Sequence, residues 1–357
     1  ILTFPIVLYL FIPVYFNLGV TSVYQYLDMR FKSGFVRRLA SGTYIFRSSL
    51  NLGVSLFTPC VALKTVLGLP YSLSIIGIAS ISIVLTIVGN LRSAITADVV
   101  QAVIMLGCSC VMIIHGLYEA EGPGNILRVN TRRHRLDFFN WNLDPTERLN
   151  TISALVGQMF MSVSIYGCQQ NFVQRYCSMG SFKRVAQTLW ANVPVMAALF
   201  SLNWLVGMVI FYLYADCDPK KIGYISDNDE ILPFYVEDKL YILPGFLGLL
   251  MASMFNGTLS FLVSCLNSMA SVMWEDFVSQ IPAMKSVPES SQLVVMKACG
   301  IVCGLFVMGI AFVVAHMSGL VEASQLMTSA TTGPLLGVFI LAMFCPSANW
   351  KVSSNGI

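Results

Sequence analysis

Apolar runs of about twenty residues, each closed by a short polar stretch, recur along the whole chain. A helix rising 1.5 Å per residue needs roughly 20 residues to cross about 30 Å of hydrocarbon. By that measure the pattern predicts nine spanning helices, at about 1–17, 41–67, 71–90, 97–118, 151–168, 188–214, 241–273, 294–316 and 321–345. Barrel strands would be shorter and would alternate apolar with polar residues, so the backbone is expected to satisfy itself as helices. The reading is an all-α, polytopic membrane protein built as one transmembrane domain over residues 1–357, with the lipid bilayer as its solvent.

The polar stretches between the runs differ in sign. Residues 21–40 carry Arg30, Lys32, Arg37 and Arg38 against Asp28, and residues 169–187 carry Arg175, Lys183 and Arg184 with no acid. Both are assigned to the cytoplasmic side, where short connections are enriched in Lys and Arg. Residues 216–239 hold seven acids against three lysines and are read as an external loop. The 119–150 segment balances five arginines with five acids, and alternation from its neighbours places it outside as well.

Composition narrows the function classes. Of 357 residues, 56% are hydrophobic and only 11% are charged, where an ordinary soluble domain has about 25% charged. The net charge of +3 is small and its basic residues lie between apolar runs, which argues against a nucleic-acid partner. Most of the ten cysteines fall inside apolar runs and none forms a CxxC pair, so they read as small fillers. His115 and His316 stand alone near span ends, without metal-ligand spacing. With no phosphate-binding GxxxxGK[ST] run and no nucleophile–base constellation, neither an ATP-driven pump nor an enzyme is indicated, and no organic cofactor is expected.

The polar groups inside the spans are the candidates for chemistry. Ser260, Ser264, Asn267 and Ser271 recur at i, i+4, i+7 and i+11 and share one helical face. Neutral oxygens on one face suit a partly dehydrated hard cation; they also suit ordinary packing between helices. Asp98 opens the fourth span with Gln101 one turn on, either as a helix-start charge or as an anion beside a cation path. Arg47 lies about one turn inside the second span, either snorkelling to the cytoplasmic surface or pairing with an anionic solute. Tyr166-Gly167-Cys168-Gln169-Gln170-Asn171 closes the fifth span with three amides. Gly53, Pro59, Gly157, Gly167, Pro194, Gly257 and Gly333-Pro334 are expected to interrupt their spans, either as breaks that free backbone carbonyls for ions or only because Gly and Pro are more frequent in membrane helices.

Five segments together resemble the sodium/solute symporter family. NLGVTSVYQYLDMRF resembles its "TS.YEYLE.RF" segment, ITADVVQ its "WTD.FQ", YGCQQNFVQRY its "YG.NQ..VQRY", SFLVSCLNSMASVMWEDF its "STVSS.LNSLA.VT.EDF", and GPLLGVFILAMFCPSAN its "GGPLLGLF.LGMF.P.AN". They come in the family's order and cover nearly the whole chain. The flavour is that of the animal branch holding the multivitamin, monocarboxylate and iodide transporters.

The resemblance implies a LeuT-type fold of two inverted five-helix repeats. The chain would then begin at the second helix of the first repeat, with that repeat's leading helix missing. It further implies a multi-pass plasma-membrane protein that couples Na⁺ to symport of a small organic solute or anion by alternating access. Gly257, Ser260 and Asp98 would handle sodium, and Tyr166, Gln169, Thr332 and Gly333 the solute. Two departures stand out: Phe261 sits where the family usually has Ser or Thr, and Gln169 replaces an Asn. Phe261 supplies no sodium ligand, which motivates a rival reading as a non-transporting membrane sensor or scaffold.

Overall fold

The apolar runs are helices, and almost every one keeps going through the residues expected to stop it. The computed structural model describes residues 2–19, 22–88, 91–142, 144, 150–226, 228–284, 288–316, 320–349 and 351. Ile1 and Gly89–Asn90, at the edges of the first and third expected spans, lie outside them.

In chain order the helices are α1 (Thr3–Ile6), α2 (Ile12–Leu18), α3 (Gln25–Phe31), α4 (Gly34–Leu67), α5 (Tyr71–Val88), α6 (Leu91–Glu119), α7 (Pro123–Arg132) and α8 (Thr151–Cys168). They continue as α9 (Gln170–Cys177), α10 (Phe182–Leu213), α11 (Pro219–Ile222), α12 (Ile231–Lys239), α13 (Phe246–Asp276), α14 (Glu289–Val314) and α15 (Leu320–Phe344). Among the described residues seven helices are long and apolar enough to cross a membrane, and Thr3–Leu18 and Thr328–Phe344 are shorter apolar helices. These nine correspond to the nine spans that the pattern predicts.

The interruptions expected at proline and glycine need correction. Pro59 lies within α4, Pro194 within α10 and Pro334 within α15. Gly257 lies within α13, which runs unbroken from Phe246 to Asp276. A proline removes one ladder bond, and neighbouring helices and hydroxyl side chains re-satisfy the freed groups, so helices in lipid tolerate it. Two irregularities do occur. The π turn Val7–Phe11 separates α1 from α2 just before Pro13, whose ring excludes the carbonyl four residues back. The other lies between α8 and α9, where Gln169 is extended at φ −92°, ψ 134°.

α4 and α13 form the axis of the bundle. α4 packs against α5, α13, α14 and α15, and α13 packs against α4, α5, α6, α9 and α14. The main core joins buried Tyr15, Tyr24, Tyr44, Leu52, Leu56, Leu262, Leu266 and Phe339. Leu73, Ile76, Ile81 and Val84 of α5 are exposed on the outer surface, as side chains facing lipid should be. Close approach of α4 and α14 depends on Gly53, since a Cβ there would lie 2.4 Å from Ile310 Cγ2 and 3.0 Å from its Cβ.

The connecting segments cluster at the two ends. The segments expected as external loops contain helices of their own: α7 in 119–150, α11 and α12 in 216–239. They meet through Arg133 Nη2 and Asp216 Oδ1 at 2.9 Å, and Lys239 Nζ reaches Glu119 Oε1 at 3.2 Å. At the opposite end the two basic segments meet where the Val23 amide donates to Gln170 Oε1 at 2.9 Å.

Candidate functional site

The serine face of α13 meets the start of α6. Ser260 Oγ donates to Asp98 Oδ1, so the two polar residues expected to handle sodium, 162 positions apart in sequence, are in direct contact. Gln101, one turn beyond Asp98, accepts from Asn256 Nδ2 at 3.3 Å. Its carboxamide lies against α13 at Gly257, where a Cβ would collide with Gln101 Nε2. Gly257 thus owes its place to close approach by Gln101. Because α13 is continuous there, no helix break frees the Gly257 carbonyl, and only its second lone pair is open to a cation.

Beside this contact lies a cavity of 540 Å³ between α6, α9, α10 and α13, lined by Asp98, Gln101, Asn171, Arg175, Ser260, Phe261, Ser264 and Cys265 among others. Arg175 Nη2 donates to Ser264 Oγ at 2.7 Å, and Asn171 Nδ2 reaches Cys265 Sγ at 3.7 Å. The wall therefore offers one carboxylate, one guanidinium and several neutral oxygens. Phe261 is 38% exposed and turns a phenyl ring into the cavity wall. An adjoining hollow of 630 Å³, lined by Val100, Ile104, Ala252 and four polar residues including Gln101, is mostly apolar.

The residues expected to bind solute are more scattered. The Tyr166 ring packs on Phe4 at 5.1 Å and on Phe172, a cavity-lining residue, at 4.9 Å between centroids. Thr332 is buried inside α15; its carbonyl accepts from Ser164 Oγ at 3.2 Å, and its hydroxyl donates to the Thr328 carbonyl. Gly333 is exposed. Since α15 is unbroken here, the Thr332-Gly333-Pro334 break expected from sequence is absent, and neither Thr332 nor Gly333 lines the cavity beside Asp98.

Gln169 sits at the break itself. With its amide turned as the surrounding hydrogen bonds require, its oxygen accepts from Arg47 Nη1 at 2.6 Å and Nη2 at 2.7 Å, and its nitrogen donates to Asn171 Oδ1 at 3.2 Å. The Cys168 carbonyl, released by the break, accepts from Tyr24 Oη at 3.2 Å. Burial pushes the Tyr24 phenol well above its ordinary value, so it stays neutral and a donor. Arg47 is only 4% exposed. The snorkelling reading is therefore wrong, because the helices around α4 enclose the guanidinium before it can reach the surface.

Sequence reasoning missed a second buried polar centre. Asp276, fully buried at the end of α13, accepts from Arg37 Nε at 2.6 Å and Nη2 at 2.5 Å. Ser22 Oγ donates to it at 2.9 Å and Ser41 Oγ at 2.5 Å. The WEDF segment carrying it resembles the family's "EDF", and that shared acid was the available signal.

Comparison with known proteins bears on the chain's fold and family. The chain is 32% identical over 95% of its length to the human sodium/iodide cotransporter, covering 53% of that protein. It is 31% identical over 98% of its length to human sodium-coupled monocarboxylate transporter 2, covering 56%. The chain thus spans little more than half the length of these relatives. Its structure matches a Na⁺-coupled sialic acid symporter, solved in a substrate-bound outward-open state, with a TM-score of 0.84 at 25% identity, over 99% of this chain and 72% of the other. The arrangement is the LeuT-type helical bundle expected from the motifs. The model of the sodium:solute symporter family matches residues 1–353, and with that match, the fold and the ordered motifs in agreement, the chain belongs to the sodium:solute symporter family.

Proposed function

We propose that the protein carries out sodium-coupled secondary active symport of a small organic solute or anion, by alternating access, in the plasma membrane. The observation that carries this reading is the contact of Ser260 with Asp98 on the wall of the 540 Å³ cavity. There a carboxylate and a hydroxyl from two helices converge without any basic partner in ion-pair distance of Asp98 among the described residues. A hard monovalent cation entering there replaces the hydroxyl proton as the carboxylate's partner, with Gly257's open lone pair available as a further oxygen. The acidic 216–239 segment is assigned outside and the two basic segments inside by the positive-inside rule, and the charge-balanced 119–150 segment is assigned outside by alternation.

The test is Na⁺-dependent uptake by the full-length protein in cells that lack endogenous transport, measured over a monocarboxylate panel with biotin and iodide. Charged hydrogen bonds contribute about 1.5–3 kcal/mol, so Asp98→Asn and Ser260→Ala are each expected to raise the Na⁺ concentration for half-maximal uptake by roughly 10-fold or more. Phe261→Ser, which adds a hydroxyl to the cavity wall, is expected to lower it. Phe261 also favours the second reading, a sensor or scaffold that no longer transports. Uptake that appears only after Phe261→Ser would put that reading first.

A further inference from the structure

Arg47 is a cation enclosed by the bundle. The residue is 4% exposed, and among the described residues no Asp or Glu lies within ion-pair distance of its guanidinium. The groups facing it are Tyr24 and Tyr44, Cys168 and Cys265, and the Gln169 amide. None of these is an anion. An arginine cannot shed its proton to escape the cost of burial, and buried charges are otherwise paired. Such a residue inside a membrane bundle is expected to have a functional partner.

The position of Arg47 says where that partner comes from. One neutral oxygen, from Gln169, takes both Nη1 and Nη2 at 2.6 and 2.7 Å. The same amide donates to Asn171 at 3.2 Å, and Asn171 reaches Cys265 at 3.7 Å. Asn171 and Cys265 line the 540 Å³ cavity. Two side chains therefore separate the guanidinium from the cavity, and the inner one hangs from the extended backbone at the α8–α9 break.

Resting on the symport reading above, we infer that Arg47 is the anion-binding residue of the pathway and that the solute is a monocarboxylate. The Gln169 amide holds the fork while the site is empty. An arriving carboxylate displaces it and meets the guanidinium with two oxygens where the amide offers one. The freed amide oxygen then turns to the cavity, where Asn171 and Arg175 can satisfy it.

The experiment uses the full-length protein and two independent readouts. Thermal unfolding in detergent is followed with nicotinate, butyrate or iodide, and with the uncharged nicotinamide and butyramide as matched controls. Na⁺-driven uptake of the same compounds is measured in proteoliposomes. Nicotinate and butyrate should raise the unfolding temperature of the wild type, and their amides should not. Losing one partner of a buried charge pair costs about 2–5 kcal/mol, so Arg47→Gln should weaken carboxylate binding by at least about 30-fold. Arg47→Lys should restore part of it. Without ligand, Arg47→Gln should unfold at or above the wild-type temperature, because a merely structural arginine would destabilise the protein on removal. Equal stabilisation by acid and amide, no shift with any anion, or undiminished carboxylate binding by a folded Arg47→Gln protein would overturn the assignment. A shift seen with iodide alone would overturn the carboxylate preference. Carboxylate-dependent shifts without Na⁺-driven uptake would strike the symport reading and leave Arg47 as an anion site.

Discussion

Replacing Asp276 with alanine is expected to cost the folded protein about 3–5 kcal/mol, the usual cost of removing one partner from a buried ion pair. Asp276 is the single acceptor on which Arg37, Ser22 and Ser41 converge. Its loss leaves the buried Arg37 side chain, 10% exposed, with a backbone contact, Nη2 to the Glu275 carbonyl at 3.0 Å, and a long contact to Asp28 at 3.7 Å. Those contacts are too few for a cation held out of water. The damage should also be mechanical, since this cluster ties the turn before α3 and the start of α4 to the end of α13. Arg37→Ala should be comparably harmful because it strands the carboxylate instead. The double variant should then cost clearly less than the two single losses added together, the signature of groups acting as one unit. Thermal unfolding of detergent-solubilised protein, with the monodisperse fraction recovered on gel filtration, measures all three. An Asp276→Ala protein that unfolds within about 1 °C of wild type would show that the cluster contributes little.

Gly53→Leu should be nearly as damaging, for a reason of shape. Even the first added carbon would lie 2.4 Å from Ile310 Cγ2, with Ile310 Cβ at 3.0 Å and the Ala311 backbone nitrogen at 3.4 Å. Ile310 is β-branched on a helix and has few rotamers to retreat into, so α14 itself must move. Overpacking of this kind costs about 1–3 kcal/mol, and sometimes more. Small residues at helix contacts are what permit close packing in lipid, where burial of apolar area gives no advantage over the tails. Gly53→Ala should sit between wild type and Gly53→Leu in unfolding temperature. Adding Ile310→Ala should recover much of the loss in either background. Failure of that rescue would place the fault in helix flexibility and not at this contact.

What the sequence made legible was set by range along the chain. Span positions follow from local runs of apolar residues, and all nine correspond to helices because nothing in lipid competes for backbone hydrogen bonds. The family motifs singled out Asp98 and Ser260 separately, since both occupy recognisable segments, and their direct contact is what the structure adds. Of the two readings of the prolines and glycines, the plain one holds at Pro59, Pro194, Gly257 and Pro334, because their cost in water is offset in a bundle by neighbouring helices. The partners that bury Arg47 and Asp276 could not be read from local pattern. Each depends on partners more than a hundred positions away in sequence, Gln169 for the one and Arg37 for the other. Nor did the motifs separate Thr332 and Gly333 from the cavity, as that separation depends on α15 packing against α8 and α4.

The extended residue between α8 and α9 divides the attachments of what would otherwise be one rod. α8 packs on α15 and α1, whereas α9 packs on α13 and α2. If the α13 side rocks against the α15 side, the two rods can swivel about Gln169 at the expense of one residue's backbone angles, because the ladder is already interrupted there. The residue acting as the pivot is also the one whose amide holds the Arg47 fork. If an anion takes that fork as inferred above, its arrival frees the joint and an empty fork latches it, so that occupancy and the angle between the two rods would be coupled through a single side chain.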